Sequence, residues 1–267
     1  MGRDAGVATL GGAGTAVVVR RRLPLLGAVA TVLRGPCWSP GTPDDERAER
    51  LSRLALMVES EAPCPSLRMA GFRQVATPAH VAEIDLRATP EARRAALAPK
   101  WRHALARAER AGLRLREEAF RGGPGHWLLH REAELRRARG YRGLPPDFAS
   151  AFARASPGAA RLFTASLGGE PVAAMLVLLH RPVATYHVGW SGPEGRQACA
   201  HHLLLVHVAD ALAARGLQRF DLGTVDTEGA PGLARFKIGA GAAVRALGGS
   251  WLRVPGLRRL ARGREGR

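Results

Sequence analysis

Short runs of apolar residues punctuated by glycine and proline open the chain. Gly11-Gly12-Ala13-Gly14 sets off Thr15 to Arg22, and Leu23-Pro24 precedes Gly27 to Leu33; bounded runs of this length predict a strand meander. The period changes after Pro40 to Pro43. Between Asp44 and Val58 the apolar residues Leu51, Leu54, Ala55 and Val58 fall on one helical face, with an Asp near its start as the cap. Pro63 and Pro65 break the pattern again, and Val75 to Leu86 contains an extended segment ending in Ile84-Asp85-Leu86.

Thr89-Pro90-Glu91 combines a capping hydroxyl, a proline at the first helical position and an acid in the first turn, which predicts a helix reaching about Gly112. Pro99 is expected to kink it. Leu97, Trp101, Leu105 and Ala108 share its apolar stripe, and Lys100, His103 and Arg107 lie within about 60° of one another beside it, as a solvated basic face would. A second helix spans His126 to Arg139, and a turn-rich loop from Tyr141 to Phe148 leads into a short third one. Arg161 to Ser166, Glu170 to His180 and Val183 to Gly189 are joined by very short turns, so they predict an antiparallel meander. Strict alternation along the last of them puts Tyr186 and Val188 on one face and His187 and Gly189 on the other. Gly195 to Arg215 is expected as one helix stopped by Gly216. Leu217 to Leu222 is expected as a strand, and Val244 to Val254 as one or two more.

Length and composition exclude a peptide-like module: 267 residues, 46% of them hydrophobic, bury a sizeable core. The formal charge of +17 would point to a polyanionic partner, but its arginines are spread along the chain rather than gathered in one patch. Cys37, Cys64 and Cys199 lie far apart without a CxxC pair, which argues against a zinc site or a disulfide framework and for a reducing cytoplasm. The order of charge and apolar residues around Arg20 to Leu33 is that of two strands rather than of a signal peptide or a membrane span.

Candidate chemistry concentrates between Phe220 and Gly241. Forty residues are Lys or Arg and only two of these, Lys100 and Lys237, are lysines; a lysine in an arginine-rich chain suggests a need for a compact ammonium. Lys237 could bind an anion, or be a surface lysine beside a core Phe236. Asp226 and Glu228 follow a strand, where one of them could hold an acceptor ammonium or help remove its proton; equally, Asp226 could close an Asx turn and Glu228 be solvated. His187 is either a base or a packed strand histidine. His201, His202 and His207 lack a carboxylate that would complete a metal set, so no metal is expected.

Several segments in consistent order carry a resemblance: Arg34-Gly35-Pro36, Lys100-Trp101-Arg102 with Ala108-Glu109, Tyr186 to Trp190, Asp221-Leu222-Gly223, and Gly232 to Lys237 with Gly239 and Gly241. Over residues 15 to 252 the chain resembles the Fem family of bacterial aminoacyltransferases and the wider Fem-like members of the Gcn5-related acetyltransferase (GNAT) superfamily. The resemblance implies an α/β (α+β) GNAT fold used twice: a reduced or truncated first copy over 1–88, an acyltransferase domain over 89–250, and a closing strand and basic tail over 251–267. It implies transfer of an acyl or aminoacyl group to an amine-bearing acceptor such as a cell-wall precursor. No permanently bound cofactor is implied; the donor co-substrate would be aminoacyl-tRNA or acyl-CoA. Lys237, Asp226 and His187 are the catalytic candidates. Lys100, Arg102, Tyr141, Tyr186, Trp190, Thr227, Glu228 and Arg235 are the substrate-binding ones, with Gly195 and Arg196 at the donor. One departure bears on that donor: the Gln/Arg-x-x-Gly-x-Gly/Ala turn that grips pyrophosphate in acetyl-CoA-dependent relatives would put Cys199 and His201 at its two small positions. This favours a Fem-like donor over ordinary acetyl-CoA-dependent N-acetylation. A non-catalytic module binding tRNA or an anionic membrane surface is the alternative from another class, and a cytoplasmic location, with contact at the inner membrane face, suits all three.

Overall fold

The computed structural model describes residues 3–23, 27–123, 125–140, 144–145 and 147–253. Tyr141 and the basic tail beyond Arg253 fall outside them. In chain order the elements begin with β1 (Arg3–Thr9), β2 (Gly14–Leu23), β3 (Gly27–Val32), β4 (Cys37–Trp38), α1 (Asp44–Leu54), β5 (Met57–Ser60), α2 (Ser66–Met69) and β6 (Phe72–Ala76). Then follow β7 (His80–Asp85), α3 (Pro90–Ala95), α4 (Pro99–Glu109), β8 (Arg114–Ala119), α5 (Trp127–Arg139), α6 (Asp147–Ala155), β9 (Ala160–Leu167), β10 (Glu170–His180) and β11 (Val183–Ser191). The chain closes with α7 (Pro193–Gln197), α8 (Ala200–Ala214), β12 (Arg219–Val225), α9 (Pro231–Gly239), β13 (Ala243–Ala246) and β14 (Gly249–Arg253).

Two compact units result, Met1–His80 with Ala246–Arg267, and Val81–Arg245. The break falls at 80/81, against an expected 88/89. In the first unit the sheet order is β1-β2-β3-β5-β14-β6, with β4 on β2. Its core gathers Val18, Val32, Leu51, Val58, Leu67, Phe72 and Trp251. The last of these comes from β14, which inserts between β5 and β6 and pairs antiparallel with both. The helix expected over Asp44 to Val58 stops at Leu54; Val58 is instead a fully buried residue of β5. Asp44 does not cap it either, since its carboxylate accepts the Ser66 hydroxyl at 2.7 Å and the N-cap position belongs to Pro43.

The second unit has the sheet order β13-β7-β12-β11-β10-β9-β8. Strict alternation along β10 divides its interior in two. Ala173, Met175 and Val177 join Trp101, Leu105, Leu204, Val208 and Leu212 of α4 and α8 in one core. Ala174, Leu176 and Leu178 join Leu128, Leu129 and Ala149 of α5 and α6 in the other. The three-strand meander forms as expected, with β10 antiparallel to both β9 and β11.

Two expected helices are each split. Pro99 does not kink a continuous helix: α3 ends at Ala95, Ala98 is extended, and Pro99 starts α4 at a position where a missing N–H costs nothing. The helix expected from Gly195 becomes α7 and α8, separated by Cys199 at φ 54°, a left-handed conformation uncommon for a side-chain-bearing residue. The first turn of α7 lies directly over β10. A Cβ on Gly195 would fall 2.1 Å from the Val172 carbonyl and 2.8 Å from the Ser191 hydroxyl, so Gly195→Ala should destabilise the protein by about 2–4 kcal/mol. Urea unfolding at neutral pH checks this, and a loss below about 0.5 kcal/mol would show that the turn relaxes freely.

Candidate active site

The site begins where two parallel strands part. β11 and β12 pair at Val183–Arg219, Ala184–Phe220 and Thr185–Asp221, and the register ends there. β11 nevertheless continues to Ser191 on the β10 side, and β12 to Val225. A local device on each strand accompanies the parting. On β11 the register against β10 slips between Leu176–Val188 and Val177–Tyr186, leaving His187 as an extra, bulged residue. On β12 the Asp221 carboxylate accepts the Gly223 N–H at 2.7 Å, and Gly223 takes φ +81°, a conformation suited to glycine. The strands therefore open toward their C-terminal ends, where parallel sheets commonly build ligand clefts.

The bulge overturns the alternation expected along β11. Tyr186 packs against the core of α4 and α8, whereas Val188 belongs to the core of α5 and α6, so the two face opposite sides of the sheet. His187 stacks on Phe148 of α6 at 5.4 Å, and burial lowers its pKa.

Tyr186 shares a 2.9 Å hydrogen bond with His201 Nε2 on the first turn of α8. Gly189 makes this possible: a Cβ there would fall 1.6 Å from the Tyr186 hydroxyl. Behind the pair lies an aromatic wall. His201 meets Phe236 at 6.0 Å, His202 meets Trp101 at 4.6 Å and Phe236 at 5.2 Å, and the Trp101 indole N–H donates to the Phe236 carbonyl at 3.0 Å. Burial, and secondarily the neighbouring His202, push the His201 pKa down to about 4. At neutral pH the ring is uncharged, and its Nδ1 is buried without a hydrogen-bond partner among the described residues.

Lys237 follows Phe236 on α9. Its side chain is buried, and the ammonium donates to the Thr224 carbonyl at 2.7 Å, just past the turn at Gly223. Burial lowers its pKa, and the Asp221 carboxylate opposes that shift. The rare lysine is therefore an interior cation at the divergent end of β12, not a surface group.

The remaining candidates disperse. Asp226 accepts the N–H groups of Glu228 and Gly229 at 3.1 and 2.7 Å, closing the Asx turn. Thr227, Glu228 and Arg235 are exposed. Lys100 and Arg102 lie on the outer surface of α4, where Arg102 reaches the Ala95 carbonyl at 3.4 Å. Trp190 packs edge-on to Trp127 at 5.5 Å. Arg196 donates to the Ser191 carbonyl at 2.6 Å, and Gly195 is buried over β10. The histidines of α8 do not converge: His201 holds Tyr186, His202 packs on Trp101 and His207 on Phe163. Sequence reasoning missed the roles of His201, His202, Trp101 and Gly223 in the site. The signal was the coincidence of a strand tyrosine with a paired-histidine helix start, and of Asp-x-Gly at a strand end.

Residues 87–237 match the model of the acetyltransferase (GNAT) domain. The chain belongs to this family. Among solved structures FemX is similar, with a TM-score of 0.75 at 13% identity over 99% of this chain and 91% of FemX. So is the C-terminal domain of a protein from Agrobacterium fabrum assigned as a lysylphosphatidylglycerol synthetase, with a TM-score of 0.59 at 15% identity over 97% of this chain and 87% of that one. L-PGS from Bacillus licheniformis gives 0.56 at 13% over 97% and 86%. These identities show a shared fold. No curated protein matches the chain. The GNAT match ends at Lys237 and so includes every group of the β11–β12 opening.

The titration of His201 provides a test of this packing. Its folded pKa of about 4 lies below its ordinary 6.5, so between these values the unfolded chain binds the extra proton and stability falls as pH falls. The contribution is about 3 kcal/mol, complete near pH 4. Urea unfolding from pH 7 to pH 4 should show this loss in the wild type and a correspondingly shallower loss in H201L. Parallel pH profiles for the two would contradict the burial of this ring.

Proposed function

We propose that this GNAT protein is an N-acyltransferase of the Fem-like type, moving an acyl or aminoacyl group from an activated donor to an acceptor amine in the opening between β11 and β12. The observation that carries the reading is the buried Lys237 ammonium at the divergent end of β12. In acyl transfer, attack by an amine turns the carbonyl oxygen into an oxyanion, and a fixed cation in a poorly solvated site stabilises that charge without reorganising. Lys237 fills this role, with its Thr224 hydrogen bond fixing the ammonium. His187, kept neutral by burial and set on the bulge of β11, takes the proton lost by the amine. Asp226, committed to two backbone amides, holds the loop before α9 and is assigned no proton transfer.

The likeness to FemX and to the lysylphosphatidylglycerol synthetase domain supports an aminoacyl donor, and the Fem resemblance an amine acceptor of the cell envelope. Aminoacyl-tRNA is accordingly the preferred donor, and a cell-wall precursor the preferred acceptor. The conformation at Cys199 and the imidazole of His201, where the small residues of a pyrophosphate-gripping turn would stand, weigh in the same direction. Acetyl-CoA-dependent N-acetylation is the second reading, favoured by the family match itself. No described helix is long and apolar enough to cross a membrane; the proposed location is cytoplasmic, with peripheral contact at the membrane where the acceptor is assembled.

Melting shifts separate the donors, since a ligand that binds only the folded state raises the transition. A shift with aminoacyl-tRNA is expected, and a shift with acetyl-CoA alone would overturn the aminoacyl preference. With the donor identified, K237M should lower turnover by about 10²- to 10³-fold while keeping the melting temperature, because methionine preserves the volume and burial already disfavours the charge. The wild-type rate should rise with pH as His187 loses its proton and fall again below the ordinary lysine value of 10.5 as Lys237 does. Turnover of K237M within threefold of wild type would remove the lysine from the chemistry.

A further inference from the structure

Each sheet ends in strands that pair on one side only, and three of these four edges are protected against further pairing. β8 carries Arg114, Arg116, Glu117 and Glu118, β13 is four residues long, and β6 bears Arg73 and Gln74 with Pro78 just beyond it. Charge, brevity and proline are the usual means by which an exposed edge avoids association. β1 differs from all three. It runs for seven residues, has neither charge nor proline from Ala5 to Thr9, and pairs with β2 without a register shift, while its other side has no strand among the described residues.

The Leu10 N–H donates to the Gly14 carbonyl at 2.8 Å across the turn between β1 and β2. By the alternation of an antiparallel ladder, Asp4, Gly6 and Ala8 then bond to β2, and Ala5, Val7 and Thr9 turn their N–H and C=O groups outward from the edge. Ala5, Val7 and Thr9 also share one sheet face with their register partners Val19, Val17 and Thr15, opposite the face that buries Val18 and Val32. On that face Val7 is 72% exposed and Val17 48%. An uncharged, β-branched patch thus lies beside an open row of backbone donors and acceptors, in a chain whose formal charge is +17.

We propose that β1 pairs with β1 of a second copy of this chain, antiparallel about a two-fold axis at Gly6, so that the two sheets continue as one. Gly6 is the midpoint of the strand, and this register therefore uses its whole length: Ala5 meets Val7 of the second copy, Asp4 meets Ala8, and the two Gly6 residues meet at the axis. The Val7–Val17 patches of both copies then lie side by side on one face. Charge selects this occupant and this direction. The exposed Arg20, Arg21 and Arg22 stand at one end of the β1–β2 ribbon and the uncharged turn Leu10–Gly14 at the other. Antiparallel pairing sets the basic end of each copy beside the turn of the other, whereas parallel pairing would oppose the two basic ends. Arg50, which reaches Gly11, is already paired with Glu46 at 3.2 Å. A polyanion would meet no cation between Ala5 and Thr9. The pairing stands apart from the acyl-transfer reading, since no residue of the β11–β12 opening takes part.

The test is sedimentation equilibrium of the full chain over about 1–100 μM at several salt concentrations. A monomer–dimer equilibrium is expected that tightens with added salt, because salt screens the repulsion between two basic copies. Val7→Pro removes an outward N–H without touching the β2 ladder, and Val7→Lys places a charge on the patch. Each should weaken association at least about tenfold while the melting temperature stays within about 3 °C of wild type. The register has its own readout. Facing residues at the axis form a non-hydrogen-bonded pair with Cα atoms about 4.5 Å apart, within reach of a disulfide, and a Cβ on Gly6 would meet nothing within 4 Å in the single copy. Under oxidation Gly6→Cys should therefore give a covalent dimer well above the background set by the exposed Cys37, whereas Thr9→Cys, whose two copies lie far apart along the joint, should not. A monomer at every concentration, association that weakens with salt, a dimer indifferent to both Val7 variants, or a Gly6→Cys variant that cross-links no more than Thr9→Cys would each overturn the pairing. The first of these would leave the edge to a strand of a different protein.

Discussion

The second unit is organised around a ladder that stops early. Parallel strands inside a sheet ordinarily pair along their shared length, because buried backbone N–H and C=O groups need partners. Here β11 and β12 pair at three positions and then separate, each with a local device beside the break: the extra residue His187 on one strand and the left-handed Gly223 on the other. Asp221 stabilises the second device by accepting the Gly223 N–H. The Thr224 carbonyl that follows receives the Lys237 ammonium, and the freed half of β11 presents Tyr186 to His201. The lysine, the tyrosine–histidine pair and the aromatic wall all follow from that parting.

The cations of the unit divide into kinds with different work. Lys237 is interior, held by a carbonyl and balanced against Asp221, so its charge acts in a medium that screens poorly. Arg93, Arg161, Arg215 and Arg245 are tied to carboxylates and hold elements together. A third kind, which includes Lys100, Arg107, Arg121 and Arg154, faces solvent without a carboxylate partner among the described residues. A net charge of +17 thus says little by itself, whereas its distribution says which charges are available to a ligand.

The sequence was most legible where the period was regular. The β9–β10–β11 meander, the apolar stripe of α4 and the Gly140 stop of α5 followed from spacing and turn residues. Three features did not. Pro99 is compatible with a kink or a start, and only the extended Ala98 before it decides. Cys199 carries no sign of a left-handed conformation, because glycine or asparagine would be the expected residue there. Above all, a bulge has no periodic signature: one inserted residue at His187 moved Val188 to the other face, so the alternation was read correctly through Tyr186 and wrongly beyond it. In the site, the scarcity of lysine pointed to Lys237, yet its burial depends on the packing of α9 against β12, which local sequence does not encode. The Asx turn at Asp226 was legible from Asp and the nearby glycine, as one of two open alternatives.

Two lysines in the whole chain make the central claim directly measurable. With lysine labelled at its ε-carbon by ¹³C, the protein should give two side-chain resonances. The Lys237 resonance should titrate below the ordinary value of 10.5 because burial disfavours its charge. Removing the turn that aims the Thr224 carbonyl, by Gly223→Val, should move the Lys237 resonance and leave that of Lys100 in place. A Lys237 resonance that titrates at the ordinary value and is unchanged by the substitution would contradict an interior ammonium held at the parting of β11 and β12.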